Sequence, residues 1–575
     1  MAAVVAGSRV AAAEPRTFRP VNPGGIVWVA VAGVLVILVV YPMVWLVLKS
    51  LQPAAGEGLT LQNYVVAFST PRYLEAIWNS LRVSFSVAVL SLAMGVPMAW
   101  AVSRTDMPAK GLVRASVLGA FVTPAFLGAI AWILLAGPNA GWLNRLFVAL
   151  TGASAGPLNI YSLPGLVFVI SIYTYPYVFL FTATALELMS SEMEDAATIL
   201  GAGVWRTTVA VTVPLALPAL IAGFIMAFLE SIALFGSPLL IAVPARIQVI
   251  TTQLFQFFQF PSKVELAAAY ALPLLGITAA LLLVQKRLLA RKGFATFSGK
   301  GGARRLVRLG PWRWVALGYC LTIAALSLVL PYLTLASAAF SKAWARGWTW
   351  DNFTLEHFRW VLLTHDTTRG AILNSLLYST AAACAAVALA FLAAYMANRR
   401  LARGSWLLGY LAMAPYAIPG IVLAIGFLSA YARPPLFLYG TAWIMILAFT
   451  SRFLPVAYAT GDAALKSVHP ELEDAARIAG AGRFLTLREV TLPLIKRGVL
   501  AGWLLVLIAA LRELSAAIFL FSAHTKVMSI VLVDLSEEGD LERLATLGIV
   551  MLAVTMALVL VGYRIVGRQF LGTRE

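Results

Sequence analysis

Charged residues are scarce in this chain of 575 residues: they make up 12% of it, whereas 61% is hydrophobic. A soluble domain is about 25% charged, so this composition excludes an ordinary soluble protein. Apolar runs of about 20 residues recur along the sequence, and each is long enough to cross the hydrocarbon core of a bilayer as a helix. A β-barrel would show short alternating segments instead. We therefore expect an all-α, polytopic membrane protein.

Cysteine and histidine are also rare. The two cysteines, Cys320 and Cys384, lie within apolar runs and predict neither a disulfide framework nor a metal site. The four histidines are far apart in the sequence, so no local cluster of metal ligands is predicted. No catalytic constellation is found. Residues 1–25 lack the apolar core and the cleavage site of a signal peptide, which favours a cytoplasmic N-terminal tail.

Acidic residues are outnumbered, with 25 Asp and Glu against 43 Lys and Arg, and the formal net charge is +18. Nucleic acid is one possible partner for such a charge. The basic residues concentrate in particular loops, however, as the positive-inside rule expects of a membrane protein. Nine of them lie between Lys286 and Arg313. We expect contact with membrane lipid and none with nucleic acid.

Twelve apolar segments are predicted to span the membrane. Their limits are 26–48, 79–103, 112–136, 163–188, 215–242, 266–285, 314–338, 374–398, 405–431, 437–461, 498–521 and 545–565. Asn79-Ser80-Leu81 opens the second span and Asn374-Ser375-Leu376 the eighth, 295 residues later. The sequence thus predicts two parallel six-helix repeats, 26–290 and 313–575, joined by a basic cytoplasmic linker at 291–312.

The first repeat is the longer one. Pro124 and Pro419 are also 295 residues apart, whereas Pro176 and Pro455 are 279 apart, so the first half holds 16 extra residues between its two prolines. We place them in the outer loop near 137–163.

A polar segment is repeated between the apolar runs. Residues 194–214 contain Glu-Asp-Ala-Ala-x-Ile-x-Gly-Ala-Gly and end in Val-x-Val-Pro, and residues 473–493 repeat the pattern 279 positions later with Val-x-Leu-Pro. We call these segments the first and second islands. Each follows an even-numbered span, so both face the cytoplasm if the N-terminus is inside.

Each island is predicted to form a helix–turn–helix outside the membrane. Ser191-x-x-Glu194 has the pattern of a capping box, and Pro470 suits a first helical turn. The glycines of Gly201-Ala-Gly203 and Gly480-Ala-Gly482 would allow a tight turn with positive φ. The alternative is an ordinary interfacial loop whose small residues only permit packing.

The islands resemble the coupling motif of ATP-binding-cassette importer permeases, Glu-Ala-Ala-x3-Gly-x9-Ile-x-Leu-Pro, with Asp195 and Asp474 in place of the usual Glu. The resemblance implies a channel in the bacterial inner membrane with both termini in the cytoplasm. It implies two copies of a cytoplasmic ATPase, docked on the islands, and a periplasmic or extracellular substrate-binding protein. The ATPase-coupling residues it implies are Glu194, Asp195, Ala196, Ala197, Gly201, Gly203, Glu473, Asp474, Ala475, Ala476, Gly480 and Gly482.

Within that class, two units fused in one chain resemble the ferric-iron transport permeases. Leu511-Arg512-Glu513-Leu514-Ser515-Ala516 is similar to their second-half pattern, and Phe228-Leu229-Glu230-Ser231 followed by Phe235-Gly236 is similar to their first-half pattern. Permeases for thiamine, polyamines and phosphonates have a similar architecture and remain alternatives. A secondary transporter of the twelve-span facilitator class is a weaker alternative, because residues 104–111 do not match that class's loop motif.

No nucleotide site is predicted in this chain. Residues 293–301 are glycine-rich, but a phosphate-binding loop has four residues between its glycines and Ser or Thr after the lysine, whereas here five intervene and Gly301 follows Lys300. We therefore expect the chain to be a translocation pore and not an enzyme. ATP and Mg²⁺ would be bound by the partner ATPase.

Five ionisable residues fall within predicted spans, where charges are costly and usually face a cavity or a partner. As a translocation path they would meet a cationic or metal substrate; as structural residues they would pair and fix helix packing, with the arginines near the surface reaching towards water. They are Glu230, Glu513, Arg512, Arg82 and Arg452. Asn79 and Asn374 are predicted to cap the starts of their spans.

Overall fold

The computed structural model describes residues 23–54, 57–189, 192–291, 306–347 and 349–566. The predicted tail 1–25 and linker 291–312 lie mostly outside these ranges, as do Ser191 of the capping-box pattern and residues 293–301. Among the described residues, the extended structure is limited to two isolated β-bridges, Thr105 with Val307 and Ser341 with Phe353. The all-α prediction is confirmed.

Ten described helices are long and apolar enough to cross a membrane, and two bent helix pairs complete a set of twelve. In chain order they are α1 (Gly25–Ser50), α2 (Pro71–Arg104), α3 (Lys110–Val122 and Ala125–Ala136), α4 (Leu163–Leu188), α5 (Val204–Ala233), α6 (Val264–Leu288), α7 (Trp312–Ala339), α8 (Asp366–Asn398), α9 (Trp406–Ala417 and Gly420–Tyr431), α10 (Ala442–Lys466), α11 (Arg483–Leu511) and α12 (Leu541–Ile565).

The bent pairs α3 and α9 turn by 99° and 110°. Each nevertheless makes one net crossing, because its flanking helices are parallel. Along α2 and α4, Ser91 contacts Thr174 at 2.8 Å and Arg104 Nη2 donates to the Met189 carbonyl at 3.0 Å, so both helices end on the same face. At the ends of α8 and α10, the Asn398 amide donates to Asp462 at 2.8 Å. The bridge of Thr105, after α2, with Val307, before α7, gives the two halves the same orientation. All four of these even-numbered spans therefore end on one face, which carries both islands and is called the island face.

Helix limits differ from the predictions at several spans. The helices α2 and α8 start about two turns earlier than predicted, so Asn79 and Asn374 lie inside them and the capping prediction is wrong. These amides instead bind backbone carbonyls of loops on the opposite, far face, at Gln248 and at His524 and Lys526. The predicted fifth and eleventh spans break at Ala233 and Leu511, and the short helices Gly236–Ile241 and Ala517–Leu520 follow.

Four π-helical segments each end two residues before a proline. They are Val36–Val40, Thr208–Thr212, Ala325–Val329 and Leu487–Thr491, followed by Pro42, Pro214, Pro331 and Pro493. Proline cannot donate to the carbonyl four residues earlier and its ring crowds that carbonyl, so the preceding turn widens. The π segments occur at matching places in the two halves.

The two halves exchange their first spans. Ser451 and Tyr431 of the second half donate to the Leu38 and Ile37 carbonyls of α1, at 2.9 and 2.6 Å. Conversely, the first span of the second half packs against the first half: Tyr319 of α7 donates to the Ala93 carbonyl of α2 at 2.6 Å. Leu38 and Ala93 each precede a proline by four residues, so the partner hydroxyl replaces the hydrogen bond that the proline cannot make.

The extra residues of the first half are ordered. They include a helix, Trp142–Thr151, on the far face. The Trp142 ring stacks against Trp344 of the second half, with centroids 6.0 Å apart, and Arg145 donates to the Ala345 carbonyl at 2.8 Å. The predicted loop is thus partly helical and fastened to the other half.

Candidate functional site: the paired islands and the central charges

Both islands fold as a helix–turn–helix. The first comprises the helices Glu192–Ile199 and Val204–Thr207, and the second Pro470–Ile478 and Arg483–Thr486. Pro470 occupies the first turn as predicted. In each turn the amide of the alanine between the two glycines closes on the helix: Ala202 N donates to Ala197 O and Ala481 N to Ala476 O, both at 3.0 Å.

Only one glycine of each turn needs its conformational freedom. Gly201 and Gly480 have φ of +83° and +92°, which L side chains rarely adopt. Gly203 and Gly482 have φ of −70° and −68° and precede the second helices. The expectation of positive φ therefore holds for the first glycine of each pair and is wrong for the second.

An ion pair fastens each island to the membrane helices. In the second island, Arg399 donates Nε to Glu473 Oε2 at 3.0 Å and Nη2 to Oε1 at 2.9 Å, and Thr491 donates to Oε1 at 2.9 Å. In the first, Arg104 lies 3.4 Å from Glu194 Oε2, and Thr212 donates to Oε1 at 2.7 Å. Glu194 and Glu473 therefore face the body of the protein, not the surroundings.

The outward side of each island carries large apolar side chains at two pairs of matching positions. The exposed fractions are 85% and 89% for Ile199 and Ile478, and 80% and 76% for Trp205 and Phe484. Ala196 and Ala475 are also exposed. Exposed apolar groups concentrated on one surface mark a contact site. Sequence reasoning missed the aromatic pair, although a large ring two residues after each Gly-Ala-Gly is visible in both copies.

Four of the five intramembrane charges converge where the halves meet. Arg452, Arg512 and Glu513 of the second half all lie near Glu230 of the first, and the Tyr177 hydroxyl faces the same carboxyl group. Glu513 Oε1 is bonded by the Ala516 amide at 2.9 Å. The fifth residue, Arg82, is exposed and lies over the Trp78 ring, 4.9 Å from its centroid. Arg82 thus takes no part in this cluster, which we call the central charges.

The two arginines of the central charges hold the bends of α3 and α9. Arg512 Nη1 donates to the Phe121 and Val122 carbonyls at 2.8 and 2.7 Å, and Arg452 Nη1 donates to the Ile418 carbonyl at 2.8 Å. A bend leaves carbonyls without helical partners, and in a membrane each needs a donor. The Arg512 contact joins the two halves.

Glu230 and Glu513, which are predicted to occupy roughly equivalent places, are displaced from each other by one helical turn. Thr251 bonds the Leu234 carbonyl and Ser529 bonds the Glu513 carbonyl, which makes Leu234 the counterpart of Glu513. Glu230 lies one helical turn earlier, inside α5. Both carboxyl groups nevertheless reach the central charges.

A family model described as "Binding-protein-dependent transport system inner membrane component" matches residues 84–293 and again 386–571. The chain belongs to this family. The permease is therefore a two-unit, membrane-spanning component of an ATP-binding-cassette importer, as the duplicated island motif indicates.

Curated relatives of the permease match over most of their length. It is 24% identical to the ferric transport system permease protein FbpB of Actinobacillus pleuropneumoniae, over 92% of this chain and 76% of that protein. It is 25% identical to a putative ferric transport system permease protein, FbpB 1, of Haemophilus influenzae, over 83% and 74%. A putative 2-aminoethylphosphonate transport system permease protein, PhnV, of Salmonella paratyphi A is 27% identical over 42% of this chain and 89% of its own.

Proposed function

We propose that the permease moves ferric iron across the bacterial inner membrane, with the island face and both termini in the cytoplasm. The two ferric relatives match across both halves, whereas the 2-aminoethylphosphonate relative matches less than half of the chain. That difference favours iron over 2-aminoethylphosphonate. A binding protein on the outer side delivers the iron.

The observation that carries the proposal is the pair of matching apolar surfaces on the island face. Ile199 and Ile478 are identical, and Trp205 and Phe484 are both large aromatic residues, at positions 279 residues apart. Two equal surfaces suit two copies of one partner. That partner is a cytoplasmic ATPase, which binds ATP and Mg²⁺ and performs the hydrolysis, while this chain supplies the pathway and no catalytic residue.

Each island is connected to the membrane spans in a way that would transmit a movement of the ATPase to them. In each, the second short helix runs without interruption into a membrane span, α5 or α11. The ion pairs at Glu194 and Glu473 tie the first short helix to the ends of α2 and α8. When ATP draws the two ATPases together, each island therefore moves several spans as one body, and the halves rotate to close the island face and open the far face.

The central charges would lie on the path that the iron takes through the membrane. Carboxylate oxygens are the protein ligands that hard cations prefer. The carboxyl groups of Glu230 and Glu513 would meet the iron in transit, and Arg452 and Arg512 offset their charge when it is absent. Among the described residues there is no group of three or more His, Cys, Asp or Glu side chains that could hold a metal ion.

Uptake by proteoliposomes tests the proposal. The permease, co-purified with its ATPase, should accumulate ⁵⁵Fe³⁺ only when the binding protein is outside and ATP is inside. Thiamine, spermidine and 2-aminoethylphosphonate serve as comparison substrates. Uptake driven by an ion gradient without ATPase would support the secondary-transporter alternative and contradict the proposal.

A further inference from the structure

Among the far-face residues that the structure describes, one aromatic side chain, Phe260, is fully exposed, with an exposed fraction of 100%. It lies in the loop 257–263 between the helices Ile250–Gln256 and α6. Five consecutive residues of the loop, 259–263, are exposed. The far-face position follows from the ion pair of Lys49 at the end of α1 with Glu265 at the start of α6, at 2.6 Å.

The base of this loop is rigid. Lys263 N donates to the Phe257 carbonyl at 2.7 Å and closes the loop. The Phe257 ring makes edge contacts with Tyr73 and Tyr270, with centroids 5.0 and 5.5 Å apart. Arg72 also bonds the Gln256 side chain at 2.9 Å. An exposed ring on an ordered base loses little conformational freedom on binding, which favours a docking contact.

The loop also lies where the halves meet. Phe258, two residues before the exposed ring, packs edge-on against Phe519 of the second half at a centroid distance of 4.9 Å. Phe519 belongs to the short helix Ala517–Leu520, which directly follows the central charges in the sequence. Phe260 thus lies close to the junction of the two halves on the far face.

At the corresponding place in the second half, residues 536–542, which the structure describes, form no such loop. Its corresponding helix, Met528–Glu538, is followed by a tight turn at Gly539, where φ is +74°, and α12 begins at Leu541. The far face is therefore asymmetric, while the island face presents two matching surfaces. Two copies of one ATPase need two equal surfaces, whereas a single asymmetric protein needs one distinctive contact.

We propose that the loop 257–263 is a docking point for the binding protein, with Phe260 as its anchor. This inference rests on the proposed function, since the family is binding-protein-dependent. A large aromatic ring inserted into a partner's pocket is the kind of contact that dominates interface energies. We expect the binding protein to carry an apolar pocket for this ring, beside the cleft from which that protein releases the iron.

The test uses the permease–ATPase complex in nanodiscs and the binding protein that stimulates its ATP hydrolysis. Phe260→Ser should weaken the affinity of that protein for the complex at least tenfold, and Phe260→Trp should restore it. The matched control is Trp350→Ser, an aromatic residue that is 96% exposed on another far-face loop and has no part in the proposal. Unchanged affinity of Phe260→Ser, or equal losses in Phe260→Ser and Trp350→Ser, overturns the inference.

A second measurement distinguishes a membrane anchor from a protein contact. A spin label at Phe260→Cys, with Cys320 and Cys384 replaced by Ala, should be accessible to an aqueous nickel complex and become protected when the binding protein is added. Preferential accessibility to oxygen dissolved in the bilayer would show insertion into lipid and overturn the inference. A wild-type complex that no binding protein stimulates would instead contradict the proposed function itself.

Discussion

Arg399 holds Glu473 with two hydrogen bonds, Nε to Oε2 at 3.0 Å and Nη2 to Oε1 at 2.9 Å, and only 14% and 9% of the two side chains is exposed. A bidentate pair fixes both direction and distance. The residues belong to different elements, the end of α8 and the first helix of the second island. The pair is therefore a rigid joint between the contact surface and the membrane helices.

Breaking this joint should be costly. Arg399→Ala leaves the buried Glu473 carboxylate without its partner and should destabilise the island attachment by about 3–5 kcal/mol. A double-mutant cycle with Glu473→Gln, measured by thermal unfolding in detergent, should show strong coupling. The control is the exposed pair of Arg477 and Asp474, 3.8 Å apart, where the cycle should give below about 0.5 kcal/mol. Equal coupling in the two pairs would argue against a joint at Arg399.

The first island should be held less firmly than the second. Its anchor, Arg104 to Glu194, is 3.4 Å long, and Glu194 is 16% exposed. Backbone amides of Glu192–Ile199 should therefore exchange with deuterium faster than those of Pro470–Ile478, because local opening costs less. Mass spectrometry of the isolated permease measures both. Faster exchange in the second island would mean that the ion pairs do not set the attachment.

The turn glycines should divide into two classes. Gly201→Ala combined with Gly480→Ala forces L residues into a left-handed conformation, at about 1–2 kcal/mol per position, and should uncouple uptake from ATP hydrolysis in a folded protein. Gly203→Ala combined with Gly482→Ala is the matched control, since φ is ordinary there and no atom lies within 4 Å of an added Cβ. Normal uptake in the first double variant, or loss in the second, would contradict the role of the turn.

The central charges should affect transport more than assembly. Glu230→Gln with Glu513→Gln keeps the shape of both side chains and removes their charge, so ⁵⁵Fe³⁺ uptake should fall at least tenfold while co-purification with the ATPase is retained. Arg82→Gln, in an exposed side chain on Trp78, should leave uptake near the wild-type level. Unchanged uptake kinetics in the glutamate variant would make those residues structural.

The features that could be predicted from the sequence are those that depend on local patterns. The duplicated islands, the parallel halves and the helical class follow from apolar run length and from one repeated motif, and they needed no knowledge of distant contacts. The joint between Arg399 and Glu473 joins residues 74 positions apart, and nothing in the pattern around either residue indicates its partner.

Other features were mispredicted because a proline or a polar residue has several possible uses. Pro124 and Pro419 were recognised as landmarks, yet a proline alone does not distinguish a kink from bends of 99° and 110°. Asn79 was assigned to a helix start, because the polar residue stands at the edge of an apolar run. The helix begins two turns earlier in the sequence, and the Asn79 amide binds a loop that comes 169 residues later.

The most direct measurement is site-specific cross-linking of Ala196→Cys and Ala475→Cys, one at a time, in inverted and right-side-out membrane vesicles, with Cys320 and Cys384 replaced. The account predicts that both positions react only from the cytoplasmic side. It also predicts that each cross-links to the same ATPase and that the purified complex contains two ATPase copies per permease chain. Labelling from the outer side, or cross-linking of neither position to an ATPase, would contradict it.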